Sequence, residues 1–195
     1  LLLAIALVVF VIYLFLQNWR SALIASIAIP VALIGTFIFV KLLNFSINTL
    51  TLFGLTLATG LVVDDAIFIV EDITRRIQED GMRPRDAAIA SMDVLLSAVI
   101  ATSVVLITVF VPVAFFPGTT GQLYRQFALT IAFSITVSTF NAITFTPMLS
   151  GLLLRREQAP NNWLFNRINR AIDRTRESYS QTVSKIIRRK GVILA

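Results

Sequence analysis

The sequence predicts an all-α membrane protein: a bundle of about five transmembrane helices, followed by an amphipathic helix on the cytoplasmic surface. Hydrophobic residues make up 56% of the 195 residues and charged residues only 14%, which is too apolar for an ordinary soluble domain. Several apolar runs approach the roughly 20 residues that a helix needs to cross the hydrocarbon core. The sequence therefore places most of the chain within a bilayer.

The transmembrane bundle is predicted over residues 1–154. Its five apolar segments are residues 1–16, 22–40, 47–70, 94–114 and 129–154. Three of the segments have a proline inside them or near an end, at Pro30, Pro112 and Pro147, where transmembrane helices tolerate a kink. Residues 191–195 turn apolar again and are predicted to begin a further span. We therefore expect both ends of the chain to lie within a longer polypeptide.

Residues 71–93 are predicted to connect two spans on the cytoplasmic side. Gly81 is suited to ending one helix, and Pro84 is suited to the first turn of the next. We expect the acidic side chains of this connection to be solvated.

Residues 155–190 are predicted to form an amphipathic surface helix. Apolar residues recur there at three- and four-residue multiples, and arginines cover most of the remaining surface. The apolar positions are Leu164, Ile168, Ile172, Tyr179, Val183 and Ile187. Such a helix can also bind a protein partner or nucleic acid. Its position directly after a span favours contact with anionic lipid, and no other feature indicates nucleic-acid binding.

The basic residues predict the orientation of the bundle. If the first span runs inward, only Lys41 and Arg125 lie on the outer side, and the other fifteen of the 17 lysines and arginines lie in cytoplasmic segments. Basic loops are retained in the cytoplasm, so this orientation is strongly favoured.

Two adjacent carboxylates, Asp64 and Asp65, lie inside the apolar segment 47–70. A charge at the bilayer centre costs about 2.5–3.5 kcal/mol on insertion scales, and such residues usually belong to ion or proton pathways. The chain contains no histidine and no cysteine, which excludes disulfides, thiolate metal sites and the usual neutral-pH base. Proton chemistry must therefore fall to carboxylates, and two so close together should titrate as a coupled pair.

The helix around the pair contains small residues that allow close packing. Gly54 and Ala58 form a small-xxx-small pair, and Gly60 lies one turn before Asp64. The predicted spans hold no lysine or arginine placed to neutralise the aspartates, so a counter-ion must come from another part of the protein. A static ion pair between helices is the structural alternative to a proton site.

One group of motifs lies around the aspartate pair, at residues 45–54 (FSINTLTLFG), 60–67 (GLVVDDAI) and 70–71 (VE). A second group lies at residues 110–116 (FVPVAFF), 120–121 (TG) and 124–127 (YRQF). The first group resembles the fourth transmembrane helix of resistance-nodulation-division (RND) efflux pumps of the AcrB type, and the second resembles the junction of their fifth and sixth helices. Residues 14–20 (LFLQNWR) and 146–147 (TP) also fit. The resemblance covers helices two to six, the cytoplasmic surface helix and the start of helix seven.

This resemblance implies proton-driven multidrug or amphiphile efflux without a cofactor, with Asp64 and Asp65 as the proton relay and a lysine from the second half of the transporter as their partner. It also implies a homotrimer in the bacterial inner membrane, joined to a periplasmic adaptor and an outer-membrane channel. The paired aspartates favour the hydrophobe and amphiphile branch, since heavy-metal exporters have a single aspartate here. Asp72 departs from the pattern, because many relatives have asparagine there.

Two other functions are alternatives for the aspartate pair. An intramembrane aspartyl protease can share a proton between two carboxylates, but its aspartates lie on two helices, whereas these are consecutive on one. A structural scaffold without transport is the third alternative. Seven polar residues lie between positions 134 and 146 of the last span, and they indicate either a water-lined face or, as we favour, hydrogen bonding between helices. They are Ser134, Thr136, Ser138, Thr139, Asn141, Thr144 and Thr146.

Overall fold

A computed structural model describes residues 2–156, together with residues 174, 178, 179 and 181–183. The described part of residues 2–156 contains five α-helices and one short 3₁₀ helix, with no β-strand, which confirms the predicted all-α class. The helices are α1 (Leu2–Leu16), α2 (Trp19–Leu42), α3 (Thr49–Gln78), α4 (Pro84–Phe110) and α5 (Gly118–Leu153), and the 3₁₀ helix is Val111–Phe115.

Local sequence signals explain where the helices begin. The Asn18 side chain accepts hydrogen bonds from the amides of Arg20 and Ser21 at the start of α2. Asn48 caps α3 in the same way, accepting from the Thr51 amide at 2.9 Å. Pro84 occupies the first turn of α4, as predicted, where its missing N–H costs nothing.

Helices α2 to α5 are longer than the predicted spans, because the hydropathy pattern marks only the apolar part of a helix and polar residues continue it. α3 continues to Gln78, α4 already begins at Pro84, and α5 begins at Gly118. Four helical segments are long and apolar enough to cross a membrane, whereas the apolar segment of α1, Ile5–Leu16, is shorter. The four segments are Trp19–Leu42, Thr49–Gln78, Pro84–Phe115 and Tyr124–Leu153.

Helix α5 packs against α2, α3 and α4 and so forms the centre of the described bundle. Phe39 of α2 stacks on Phe133 of α5 with ring centroids 4.6 Å apart. One turn away, a Cβ atom at Gly35 would lie only 2.5 Å from Val137, so α2 and α5 approach closely. The core divides into one cluster centred on α2 and α3 and another on α3 and α4.

The chain forms two compact units, Leu1–Glu157 and Gln158–Ala195. In the second unit, Arg174, Ser178, Tyr179 and residues 181–183 are helical. Two predicted segments lie outside the described residues. They are the remainder of the surface helix at 155–190, apart from residues 155 and 156, and the start of a span at 191–195.

Candidate functional site

The two aspartates lie in the middle of α3 but face different surroundings. Asp64 is exposed on the surface of the described bundle, whereas Asp65 is half-buried. Successive residues on a helix differ in direction by about 100°, so adjacent side chains necessarily point to different sectors. Only Asp65 is turned towards neighbouring helices of the bundle, and the pair does not face one common space within it.

Asp64 lies on an exposed face of α3 together with Thr56 and Gly60, which we call the open face. Thr56 and Gly60 precede Asp64 at four-residue spacing, and both are exposed. A Cβ atom at Gly60 would have no neighbour within 4 Å. No ion pair within the described residues reaches Asp64 or Asp65. This face combines a carboxylate with small and polar side chains, and another helix can approach it closely.

The opposite face of α3 packs inside the bundle. Ala58 is fully buried. A Cβ atom at Gly54 would lie 3.1 Å from the Phe127 ring and 3.5 Å from the Phe127 carbonyl oxygen, so the glycine permits close approach of α5. Gly54 and Ala58 thus pack against helices of this chain, whereas Gly60 lies on the open side with Asp64.

A buried hydroxyl on α4 lies near Asp65. It belongs to Ser103, which is only 3% exposed and donates to the Val99 carbonyl oxygen at 2.8 Å. Ser103 also accepts a hydrogen bond at 2.6 Å from the Thr139 hydroxyl, so α4 and α5 are joined by a polar contact. Ser103 was not singled out from the sequence, where it is one of four hydroxyl residues in the predicted span 94–114.

The expectation that the acidic side chains of the connection at 71–93 are solvated is wrong for Asp72. Its side chain is 13% exposed and pairs with Arg75 and with Arg76, whose Nε lies 2.7 Å from the carboxylate. The Ser91 hydroxyl of α4 donates to the same carboxylate at 2.6 Å. The reason is that Ser91 and Asp72, although 19 residues apart, are brought together by the antiparallel packing of α3 and α4.

The polar residues of α5 mainly bond within their own helix, and the favoured hydrogen bond to another helix is made by Thr139, which donates to Ser103 of α4 at 2.6 Å. The hydroxyls of Thr136, Thr139 and Thr144 donate to carbonyl oxygens one turn earlier in the helix. Ser134 and Asn141 are buried as well, and the Ser134 hydroxyl and both polar atoms of the Asn141 amide have no hydrogen-bond partner among the described residues. No metal-binding cluster of three or more acidic, histidine or cysteine side chains occurs in the described part of the chain.

The whole chain is similar to known membrane transporters. A family model described as the AcrB/AcrD/AcrF family matches residues 1–195. The multidrug resistance protein MdtF of Escherichia coli K12 is 42% identical over 193 residues, covering 96% of this chain and 18% of MdtF. The multidrug export protein AcrF of the same strain is 43% identical over 192 residues, covering 96% of this chain and 19% of AcrF.

A third relative is the toluene efflux pump membrane transporter TtgB of Pseudomonas putida. It is 41% identical over 192 residues, covering 96% of this chain and 18% of TtgB. The chain thus spans somewhat less than a fifth of the length of these relatives. The family model matches this chain along its whole length, in agreement with the motifs around the aspartate pair, and the chain belongs to the AcrB/AcrD/AcrF family of RND transporters.

Proposed function

We propose that this chain is the proton-carrying part of a proton-driven multidrug efflux transporter, with Asp64 and Asp65 as the sites that bind and release protons. The observation that carries the proposal is the position of Asp64. It lies on the open face of α3, beside the exposed Gly60 and without an ion pair in the described residues. A carboxylate at membrane depth is costly unless it is paired or protonated.

The open face gives the missing counter-ion a route to the site. Gly60 leaves room for the backbone of another helix, so a lysine on a helix of the second half of the transporter can reach Asp64 and Asp65. Lysine and proton would then compete for the same carboxylates. Protonation releases the lysine, deprotonation recaptures it, and α3 shifts relative to the second half.

The proton-motive force supplies the energy, and no cofactor takes part. One elementary charge moving across 100 mV yields about 2.3 kcal/mol. A free energy of this size shifts a two-state equilibrium by roughly fiftyfold. A protein with one such step per cycle is a secondary active transporter and not an enzyme.

The substrates belong to the intact pump, of which this chain is somewhat less than a fifth by comparison with its relatives. Those relatives are named for multidrug and toluene efflux, which supports apolar and amphiphilic substrates. We propose that the intact pump is a homotrimer joined to a periplasmic adaptor and an outer-membrane channel.

We place the pump in the bacterial inner membrane with its basic loops in the cytoplasm. The charge asymmetry supports this orientation, since Lys41 and Arg125 are the only basic residues on the proposed outer side. The basic segment 155–190 would then meet anionic lipid at the cytoplasmic surface.

Dye efflux from cells that express the full-length pump tests the proposal. Asp64→Asn and Asp65→Asn should each abolish uncoupler-sensitive efflux while membrane insertion and assembly are preserved. Asp80→Asn is the matched control, because it removes an exposed carboxylate just beyond the same helix. Uncoupler-sensitive efflux at the wild-type rate in both aspartate variants would refute the proton-relay role.

A further inference from the structure

A groove of about 570 Å³ lies between α4 and α5, and neither aspartate of the candidate proton site lines it. Its volume is in the range of sites that bind drug-sized molecules. Helix α4 contributes residues between Arg85 and Asp93, and α5 contributes residues between Pro147 and Leu152. A Cβ atom at Gly151 would lie 3.6 Å from the Arg85 Cα atom, so the backbones of the two helices come close at this level.

The middle of the groove is apolar and open. Ile89 of α4 is 56% exposed, and Met148 and Leu152 of α5 are 52% and 71% exposed. Ala88 and Met92 also line the groove. A bound molecule with an apolar body would cover these side chains and gain free energy from the apolar surface that both partners bury.

The two ends of the groove carry opposite charges. Among the described residues that line it, Arg85 and Asp93 alone are charged. They lie eight positions apart on α4, about 12 Å along the helix axis. In the described part of the chain neither side chain forms an ion pair or a side-chain hydrogen bond. The groove therefore offers a cation at one end, a carboxylate at the other and apolar side chains between them.

We infer that this groove is a binding site for an amphoteric molecule, one with an anionic group at one end, a cationic group at the other and an apolar body between them. Arg85 binds the anionic group, for which the planar guanidinium is suited. Asp93 binds the cationic group. This site is separate from Asp64 and Asp65, and the inference does not depend on their role as proton carriers.

The order of the two charges along α4 distinguishes this ligand from a lipid tail. Arg85 lies beside Gly151, near the end of α5, whereas Asp93 lies two turns further along α4, next to the apolar segment that begins at Val94. A lipid tail in the groove would leave a carboxylate beside hydrocarbon without a counter-ion, which is costly. An amphiphile with a single charge would satisfy only one end. In the proposed orientation, the amphoteric molecule enters from the cytoplasmic side.

Photolabelling of the detergent-purified full-length pump tests the inference. The probe is a benzophenone with an aminomethyl group on one ring and a carboxyl group on the other, each para to the ketone. On illumination the ketone reacts with nearby C–H bonds, and Met92 and Met148 lie in the groove as targets. Peptide mapping by mass spectrometry should place the label within residues 88–92 or 147–152. Benzophenones with the aminomethyl group alone or the carboxyl group alone are the control probes.

Arg85→Gln and Asp93→Asn should each raise the concentration of amphoteric probe needed for half-maximal labelling about fivefold, because one charge contact is lost. Arg83→Gln and Asp86→Asn are the matched controls and should leave it unchanged. Both residues are exposed at the start of α4 outside the groove, and the Arg83 side chain makes no capping hydrogen bond.

Reversal of both charges gives a test that loss of packing cannot imitate. The double variant Arg85→Glu with Asp93→Lys should recover labelling close to that of the wild type, because the amphoteric probe can bind in the opposite direction. Each single reversal should weaken labelling more than the neutral substitution at the same position.

Equal labelling of the two segments by the amphoteric and single-charge probes would overturn the inference, because the groove would then accept apolar molecules without distinguishing charge. Wild-type labelling in both Arg85→Gln and Asp93→Asn, or no label in either segment, would also overturn it. The measurement is made in detergent without a proton gradient, so its failure is distinct from a failure of the proton-relay proposal, which efflux tests.

Discussion

The Ser91 hydroxyl of α4 donates a 2.6 Å hydrogen bond to the Asp72 carboxylate of α3, which also pairs with Arg76 at 2.7 Å. Asp72 lies two turns from Asp65 on the same helix. The two helices are thus joined by a polar contact two turns beyond the candidate proton site.

Loss of the Asp72 contact should destabilise the bundle. We expect Asp72→Ala to lower the free energy of unfolding by about 1–3 kcal/mol, because it leaves Arg76 and Ser91 without their shared acceptor. Asp72→Asn should lower the free energy of unfolding by less than Asp72→Ala does, since an amide oxygen still accepts from Ser91. Thermal unfolding of the detergent-purified pump measures the difference, with the exposed Asp86→Ala as the control. Equal stability of Asp72→Ala and wild type would contradict this account.

Gly121 should not tolerate a side chain. A Cβ atom there would overlap the carbonyl oxygen of Phe116, so Gly121→Ala must displace the backbone where the 3₁₀ helix meets α5. We expect the free energy of unfolding to fall by about 1–3 kcal/mol, which is the usual cost of overpacking. Gly118 is not a suitable control because its φ is positive. Gly151→Ala is suitable, because a Cβ atom there would lie 3.6–3.9 Å from its nearest neighbours, an ordinary contact distance. A loss of stability in Gly121→Ala no larger than in Gly151→Ala would contradict the overlap.

The open face of α3 should contact the second half of the transporter. The chain has no native cysteine, so Gly60→Cys introduces a single thiol into this segment. In the full-length pump we expect it to form a disulfide with a cysteine placed on a second-half helix. Ala58→Cys, which is fully buried on the packed face, should not do so with the same partner. Crosslinking of Ala58→Cys but not Gly60→Cys would reverse the assignment of the two faces.

Asn141 should be replaceable by an apolar residue. It is 3% exposed, and its amide has no hydrogen-bond partner among the described residues, so its burial costs free energy that is not recovered. We expect Asn141→Leu to leave the free energy of unfolding unchanged or to raise it by up to about 2 kcal/mol. Asn18→Leu, which removes an amide that caps α2, should instead destabilise the protein. A large loss in Asn141→Leu would mean that the amide is paired in the intact pump.

The sequence predicted the all-α class, the helix start at Pro84 and the position of the aspartate pair within a helix. These features depend on composition and local spacing, which can be read directly. It did not predict the ends of the helices, because polar residues such as Arg75 continue α3 beyond its apolar length. It also missed Ser91, because the importance of this residue comes from its contact with Asp72 of α3, which only the packing of two helices creates.

In the proposed function, Asp64 and Asp65 carry the protons that drive export. Proton flux into proteoliposomes containing the full-length pump, measured with an internal pH-sensitive dye as substrate is added, tests it most directly. We expect substrate-dependent proton flux in the wild type and in Asp80→Asn, and flux at the level of empty vesicles in Asp64→Asn and Asp65→Asn. Substrate-dependent proton flux of wild-type size in both aspartate variants would contradict the claim.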